Sequence, residues 1–419
     1  MPDDAQQQFS VAGGYVGITP RDRVPLASYR ALRKPVFDAI ADELEANVLV
    51  LRSGNEPPLV LVSVDLLYAG AYICSQIFEA LAGRVSRERI LVAASHTHFA
   101  PATEASLPAL GAVAQEYLDF AAARIVDLVK QALNAPPAPV ACRYHEGAAR
   151  HSINRRRARF GIWKRYPYIG FRTEIAPNGE GPRDDLIRVM TLTGLDGRVA
   201  AICWSFACHP NAFPRIDSVS AEYPGRVRRF LRERVGPVPV LFWQGFSGNI
   251  NPYRNAEDGG DEIAYPSEFV AATMSQWERW AESLSEAAQL AVSTAGRPIG
   301  GPIVCQIRSI GVRELGLRSD KRLTYQKVAF GSDLAVCALS AEVAVEYVER
   351  LRALLPSAAI IPVGCAEGVF GYLPVDEMIG GGGYEVRGFL RRFGLRGRFR
   401  RDVGGIVERR LLAPDDRRC

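Results

Sequence analysis

The chain has 419 residues, 48% of them hydrophobic and 23% charged, a globular composition that excludes collagen-like, coiled-coil and disordered proteins. A chain of this length buries a core without disulfides, and its eight cysteines are scattered with no CxxC pair, the usage of a reducing compartment. The net charge is +5, and residues 387–418 carry eleven arginines against four acids, a local +7 that leaves about −2 for the rest.

The amino-terminal MPDDAQQQFS shows no basic-then-apolar leader, so the expected location is cytoplasmic. Runs rich in Val, Ile and Leu predict strands at 48–52 and 58–64. The longest apolar stretch, 57–74, opens on two prolines, contains Asp65, and changes from β-branched to alanine-rich. It predicts a buried strand feeding a helix over 70–84, with no transmembrane segment. A strand at 90–95 is followed by a helix over 112–134, where Tyr117, Phe120, Ala121, Ile125, Leu128 and Ala132 recur near the helical period. Further strands are predicted at 187–193, 199–206, 238–243, 302–308, 334–339 and 358–363, and helices at 222–235, 265–293 and 343–355. The polar stretches 176–185 and 255–262 are too short for linkers. Strands alternating with helices give an α/β fold of mixed β-sheets flanked by helices. One large domain over 1–385 is expected, with an Arg-rich tail, 386–419, packed on it or extending from it.

Only five histidines are present, and three end strand-like runs, where α/β proteins place their sites. In ILVAASHTH the strand is expected to reach Ser95. If it stays extended, His96 and His98 face one side. His209 closes a second apolar run, AICWSFACHP, which Pro210 stops. These imidazoles suit a zinc site with an open position, or simply hydrogen-bonded structural roles. GFSGN at 245–249 lacks the final glycine of a nucleophile elbow. Cys208 reads as a buried structural thiol, and His145 and His151 as surface or packing residues. Glycines 380–383 suit a loop that moves. A second basic cluster, Arg150 to Arg165, interleaves with Phe160, Trp163 and Tyr166. No nucleic-acid motif accompanies it, so it is read as a solvated or substrate-facing surface.

SHTH at 95–98, INR at 153–155, ACHP at 207–210, SAEYPG at 220–225 and QGFSGN with INP at 244–252 occur in this order. Together with LSAEV at 339–343, and FGYLP at 370–374 followed by GGYE at 382–385, they resemble the successive signatures of the catalytic domain of neutral (non-lysosomal) ceramidases. The resemblance runs from GYVGITP at 14–20 to the glycine loop, and Tyr372 and Tyr384 stand twelve positions apart, as two functional tyrosines of that family do. It implies a zinc-dependent hydrolase of carbon–nitrogen bonds other than peptide bonds. Carried over by position, it implies His96, His209, Glu342 and Tyr372 as ligands of Zn2+, and His98 as the base that later protonates the leaving amine. Tyr384 and Arg155 would be donors to the oxyanion. Glu342 also fits the start of an acidic helical stripe with Glu346 and Glu349, Tyr372 a ring packed on Pro374, and Glu222 a helix cap.

The departures fall on the substrate side. Where the family carries aspartate and serine, this chain has Asn249 and Asn251. An amide is no nucleophile, so hydrolysis would run through metal-bound water with Asn251 orienting substrate. Phe99 to Ala102 stiffen the turn after SHTH, and the chain is too short for the family's extra β domain. The expected function is therefore cleavage of a linear amide in a small or amphiphilic molecule other than ceramide, with an acidic substrate suited to the two basic clusters. True ceramidase, ester or lactone hydrolase, amide-forming enzyme and non-catalytic binding protein stand as alternatives.

Overall fold

The computed structural model describes residues 9–28, 36–163, 168–253 and 268–413. Residues 1–8, 255–262, most of the tip of the second basic cluster (Lys164, Arg165, Tyr166) and the last six residues lie outside these, as does the start of the 265–293 helix.

Leu59–Val64 shows how the fold is specified. All six of its side chains are buried, yet they serve two cores. Val60, Val62 and Val64 face the helices Gly70–Leu81 and Gln115–Asn134, while Leu59 and Leu61 face a second sheet. Glu45–Ser53 does the same, with Val48 and Val50 on one side and Leu49 and Leu51 on the other. Period-two alternation between two dry faces produces an unbroken apolar run. Each such side chain contributes roughly 2 kcal/mol on burial, so an acid at Val50 or Leu51 would break one core or the other.

The first sheet has nine strands. In spatial order eight are Val240–Gln244, Val199–Phe206, Leu186–Gly194, Ala138–Ala148, Phe9–Gly17, Glu45–Ser53, Leu59–Val64 and Ile90–Ala94, and Arg297–Ile299 pairs with Ala138–Ala148 off this path. The two terminal pairs are parallel and the rest antiparallel. Helices Glu222–Val235 and Met274–Ser293 cover its other half. The second sheet runs Ile303–Gly311, Arg322–Phe330, Leu334–Leu339, Ala359–Val363. Its outer face packs on Tyr347–Leu354 and on the carboxy-terminal segment, whose Phe389, Phe393, Leu395, Val403, Val407 and Leu411 are buried while Arg391, Arg396, Arg398 and Arg400 are exposed. The result is helix, sheet, sheet, helix in four layers, an α/β fold.

All nine predicted strands and all five predicted helices are found. Several boundaries move, most of all that of the 265–293 helix, which begins at Met274. The 90–95 strand ends at Ala94, and the last predicted helix is Tyr347–Leu354, leaving Glu342 in the two-residue strand Glu342–Val343. Composition hides the hairpin Ser152–Trp163/Tyr168–Asn178, whose outer rungs are exposed on both faces and rich in arginine.

The first sheet curls until its ends meet. Ser63 Oγ donates to Phe242 O at 2.7 Å, and the loop after Ala359–Val363 bridges both ends, with Gly364 N donating to Gln244 O and Ala94 N to Cys365 O. The strand leading to His96 and the strand leading to His209 lie near opposite ends of the sheet order and finish side by side.

Candidate metal centre

Beyond Ala94 the backbone does not stay extended. Ser95 N bonds Val64 O, His96 N bonds Leu66 O, and His96 turns into the left-handed region at φ +65°, where histidine is among the tolerated residues. The premise of an extended His-x-His pair is therefore corrected: a turn aims the two rings. His98 N donates to Pro210 O at 3.1 Å, tying this turn to the loop of His209. GFSGN is a close-approach loop rather than a nucleophile elbow. A Cβ on Gly248 would lie 2.6 Å from Glu342 O, so glycine lets the loop pass against the glutamate segment.

The three imidazoles converge. Ring centroids are 4.9 Å apart for His96–His209, 5.1 Å for His96–His98 and 5.7 Å for His98–His209. One nitrogen from each lies within 4.8 Å of the other two. Glu342 enters between them, its Oε2 3.4 Å from His96 Nε2 and 3.1 Å from His209 Nε2. Glu342 and Tyr372 are direct partners in a parallel two-strand pair, and the Arg155 guanidinium lies 5.6 Å from the Tyr372 ring centroid. The four residues proposed as ligands are buried, whereas His98, Asn251 and Tyr384 form a half-buried outer ring.

The donor set fits a divalent cation. His96 Nδ1 lies 3.0 Å from Leu67 O, and His209 Nδ1 lies 2.7 Å from Ser247 O. A carbonyl only accepts, so both rings carry a proton on Nδ1 and turn Nε2 inward, the arrangement that orients zinc-ligating histidines. The 4.8 Å spread compares with the ~3.4 Å between nitrogens held at ~2.1 Å around a tetrahedral ion, so modest closure completes the set. Proximity alone makes His98 eligible as a third imidazole ligand as well as a base.

Electrostatics divide the two histidines proposed as ligands: burial disfavours charge on His96, but Cys365 and Glu342 outweigh it and raise His96 well above 6.5, so a cation must displace its inward proton. Burial, helped by the Arg155 charge, lowers His209 to about 4, keeping it in the neutral, ligating form. Burial favours protonated Glu342, but His96 and His209 outweigh it and hold the carboxyl well below its usual range. Burial and the neighbouring Glu342 charge raise Tyr372 well above 10, so it stands as a phenol until a cation displaces its proton.

Arg155 is the hub of the rim. Its Nε donates to Glu385 at 2.9 Å, Nη1 to Asn251 Oδ1 at 3.1 Å, and Nη2 to Gly248 O at 2.8 Å. The INR context singles it out from Arg157, yet Arg156 binds the other oxygen of Glu385 at 2.6 Å. Tyr384 packs edge-on to Tyr372, centroids 5.3 Å apart. Gly382 and Gly383 take φ of +63° and +89°, so these glycines make the turn into Tyr384 where a moving loop is expected.

Sequence reading passes over two residues. Tyr68 donates to Glu342 Oε1 and stacks 5.3 Å from His96; it sits unmarked inside the longest apolar run. Glu385, which anchors Arg155, lies in plain view at the end of GGYE. Elsewhere Asn249 accepts from Val345 N and donates to Glu346, joining its loop to the Glu342 segment. Cys208 is buried with its thiol held well above 9 by burial. Glu222 opens the Glu222–Val235 helix and accepts from Tyr223 N and Trp277 Nε1. His145 bonds Thr191 and His151 bonds Ser283, packing roles remote from the cluster.

No protein-family model matches the sequence, and no curated protein does. Two solved structures share its architecture. The neutral ceramidase from Pseudomonas aeruginosa superposes with a TM-score of 0.74 at 15% identity, over 94% of this chain and 72% of that one. A ceramidase complexed with C2 gives a TM-score of 0.74 at 15% identity, over 99% of this chain and 78% of that one. The fold is thus that of neutral ceramidases, with a cluster of imidazoles placed to hold a metal.

Proposed function

We propose that the chain is a zinc-dependent amidohydrolase that cleaves a linear N-acyl amide, other than a peptide, in an amphiphilic substrate that is not ceramide. The observation that carries this reading is the convergence of His96, His209 and Glu342 with both Nδ1 protons committed to carbonyls. The ceramidase fold supports the amide class, and the basic rim suits an acidic group on the substrate. Seven free thiols among the described residues suit the reducing cytoplasm. Residues 386–413, whose Phe389 and Phe393 pack on Tyr372, are read as part of the catalytic unit.

His96, His209, Glu342 and Tyr372 would hold a zinc ion, which would supply Lewis acidity and lower the pKa of a bound water toward ~7. His98, in the half-buried ring, takes a proton from the water that attacks the acyl carbon. The carbon–oxygen bond forms, the tetrahedral centre collapses, the carbon–nitrogen bond breaks, and His98 returns the proton to the departing amine. Tyr384 and Arg155 donate to the developing oxyanion, one such donor being worth about 3 kcal/mol. Asn251, held by Arg155, positions substrate; with no serine there, no acyl-enzyme forms.

The test is metal analysis of the purified chain with assays on N-acyl amides of graded acyl length, labelled ceramide in detergent, and the matching esters. One zinc per chain with amide turnover is expected, and His98→Gln should keep the zinc and lose turnover. A metal-free chain, or zinc with no turnover of any amide, overturns the reading. Loss of zinc in His98→Gln makes His98 a ligand, and preferred ceramide turnover makes the chain a true ceramidase.

A further inference from the structure

The hairpin Ser152–Trp163/Tyr168–Asn178 is only partly used by the site. At its root Ile153 and Asn154 pair with Asn251 and Ile250, and Arg155 enters the rim. One rung further, Arg156 reaches Glu385 and Gly382 O, and Thr173 lies against Gly381 and Gly383. Beyond these rungs Phe160, Ile169 and Phe171 are exposed.

Its register sorts the outer residues onto two faces. Directly opposed residues share a face, and the pairs are Ala158↔Thr173, Arg159↔Arg172, Phe160↔Phe171 and Ile162↔Ile169. One face therefore carries Phe160, Phe171 and Ile169, which are 61%, 68% and 66% exposed. Phe160 and Phe171 meet edge to face with centroids 5.2 Å apart, an exposed aromatic pair. The opposite face carries Arg157, Arg159 and Arg172, with Glu174 opposite Arg157 and 3.4 Å from Arg159. Over 152–178 the sequence holds seven basic residues against one acid, a net +6. Contiguous apolar surface of this kind is uncommon on a soluble protein and marks a contact.

We propose that the outer half of this hairpin docks on a lipid bilayer with an anionic surface. Phe160, Phe171 and Ile169 enter the headgroup–acyl boundary, while the arginines stay at the phosphate level, their stems along the apolar side and their charges outward. The charge selects this occupant. A second copy of the chain would bring Arg159 and Arg172 near their own counterparts, whereas anionic headgroups are attracted to basic segments within a Debye length. Because the hairpin root also holds Arg155, docking sets the rim of the metal centre at the membrane, where amphiphilic molecules are found. The binding claim stands independently of the hydrolase reading.

The test is flotation of the full chain with vesicles of phosphatidylcholine containing roughly one-third phosphatidylserine, and with phosphatidylcholine alone. Wild type is expected on the anionic vesicles, with at least about tenfold weaker retention on neutral ones. Phe160→Ser/Phe171→Ser is expected to lose at least about tenfold on anionic vesicles with an unchanged melting temperature, because both rings are exposed. Arg159→Gln/Arg172→Gln is expected to weaken binding only at low salt. Absence of wild-type binding, equal binding to both vesicle types, or retention in the phenylalanine variant overturns the proposal. A wild-type dimer in sedimentation that the phenylalanine variant splits overturns it too, and assigns the face to a second copy.

Discussion

Asp65 and Arg228 lie as deep in the protein as His96 and Glu342, and Asp65 and His96 both follow the paired strand ends at Val64 and Ala94, but the two clusters differ in what their atoms face. Around Arg228 the charged groups are partnered by opposite charges or by hydrogen-bond donors. Its Nη2 reaches Asp65 at 2.7 Å and its Nε reaches Glu45 at 3.2 Å. Arg232 takes both oxygens of Glu45 and also Asn47, and Asp42 accepts from Ser220 and Ala221 N. Burial raises the Asp65 carboxyl in spite of Arg228, but each acid keeps a donor. Such a network costs desolvation and holds shape. The imidazole cluster instead aims three soft nitrogen donors and a carboxylate at a common point, with the outward nitrogens of His96 and His209 already committed. Buried charge alone is thus no sign of chemistry; the sign is a surplus of donors of one kind pointing inward.

The largest effect that would break this comparison is expected from Glu342→Gln, which keeps shape and removes the charge. It should lower kcat/KM on the amide substrate by more than about a thousandfold, or roughly 4 kcal/mol, and release the metal. Full metal retention with full turnover would make the cluster as structural as its counterpart. Arg228→Ala should do the reverse. Leaving Asp65 buried and unpaired should cost about 3–4 kcal/mol of stability in denaturant melts, while zinc per folded chain stays unchanged.

A smaller effect comes from Glu222, which belongs to neither cluster. Burial, outweighing its hydrogen bonds from Tyr223 N and Trp277, raises its carboxyl from 4.5 to about 7. The folded state therefore binds the proton more tightly. The stability it contributes is complete below about pH 4.5, falls as pH rises toward 7, and is gone above. The span corresponds to about 3 kcal/mol. Glu222→Gln should lack this slope, so its stability relative to wild type rises between pH 5 and 7; parallel curves would refute the assignment.

Much of this was legible in the chain. Leu59–Val64 and Ile90–Ala94 are buried on both faces, so their runs are unbroken and read as strands at once. Phe9–Gly17 escapes because three glycines dilute its apolar side, and the 152–178 hairpin because its outer rungs are solvated. The histidines are visible by their rarity and position after apolar runs. Glu342 is harder, since a two-residue strand carries no period and the Glu346–Glu349 spacing suggests a helix that in fact begins at Tyr347. Tyr68 has no signal, because one phenol in an apolar run looks like packing.

The four proposed ligands come from four stretches of chain, the first ending at His96 and the last at Tyr372. During synthesis at about 5–20 residues per second, His96 leaves the ribosome on the order of tens of seconds before Tyr372 exists. Until then a nascent chain carries histidines without their carboxylate and phenol. Ion capture is therefore a late event, governed by closure of long loops, and a prematurely terminated chain would hold the sheet's first strands but not its centre.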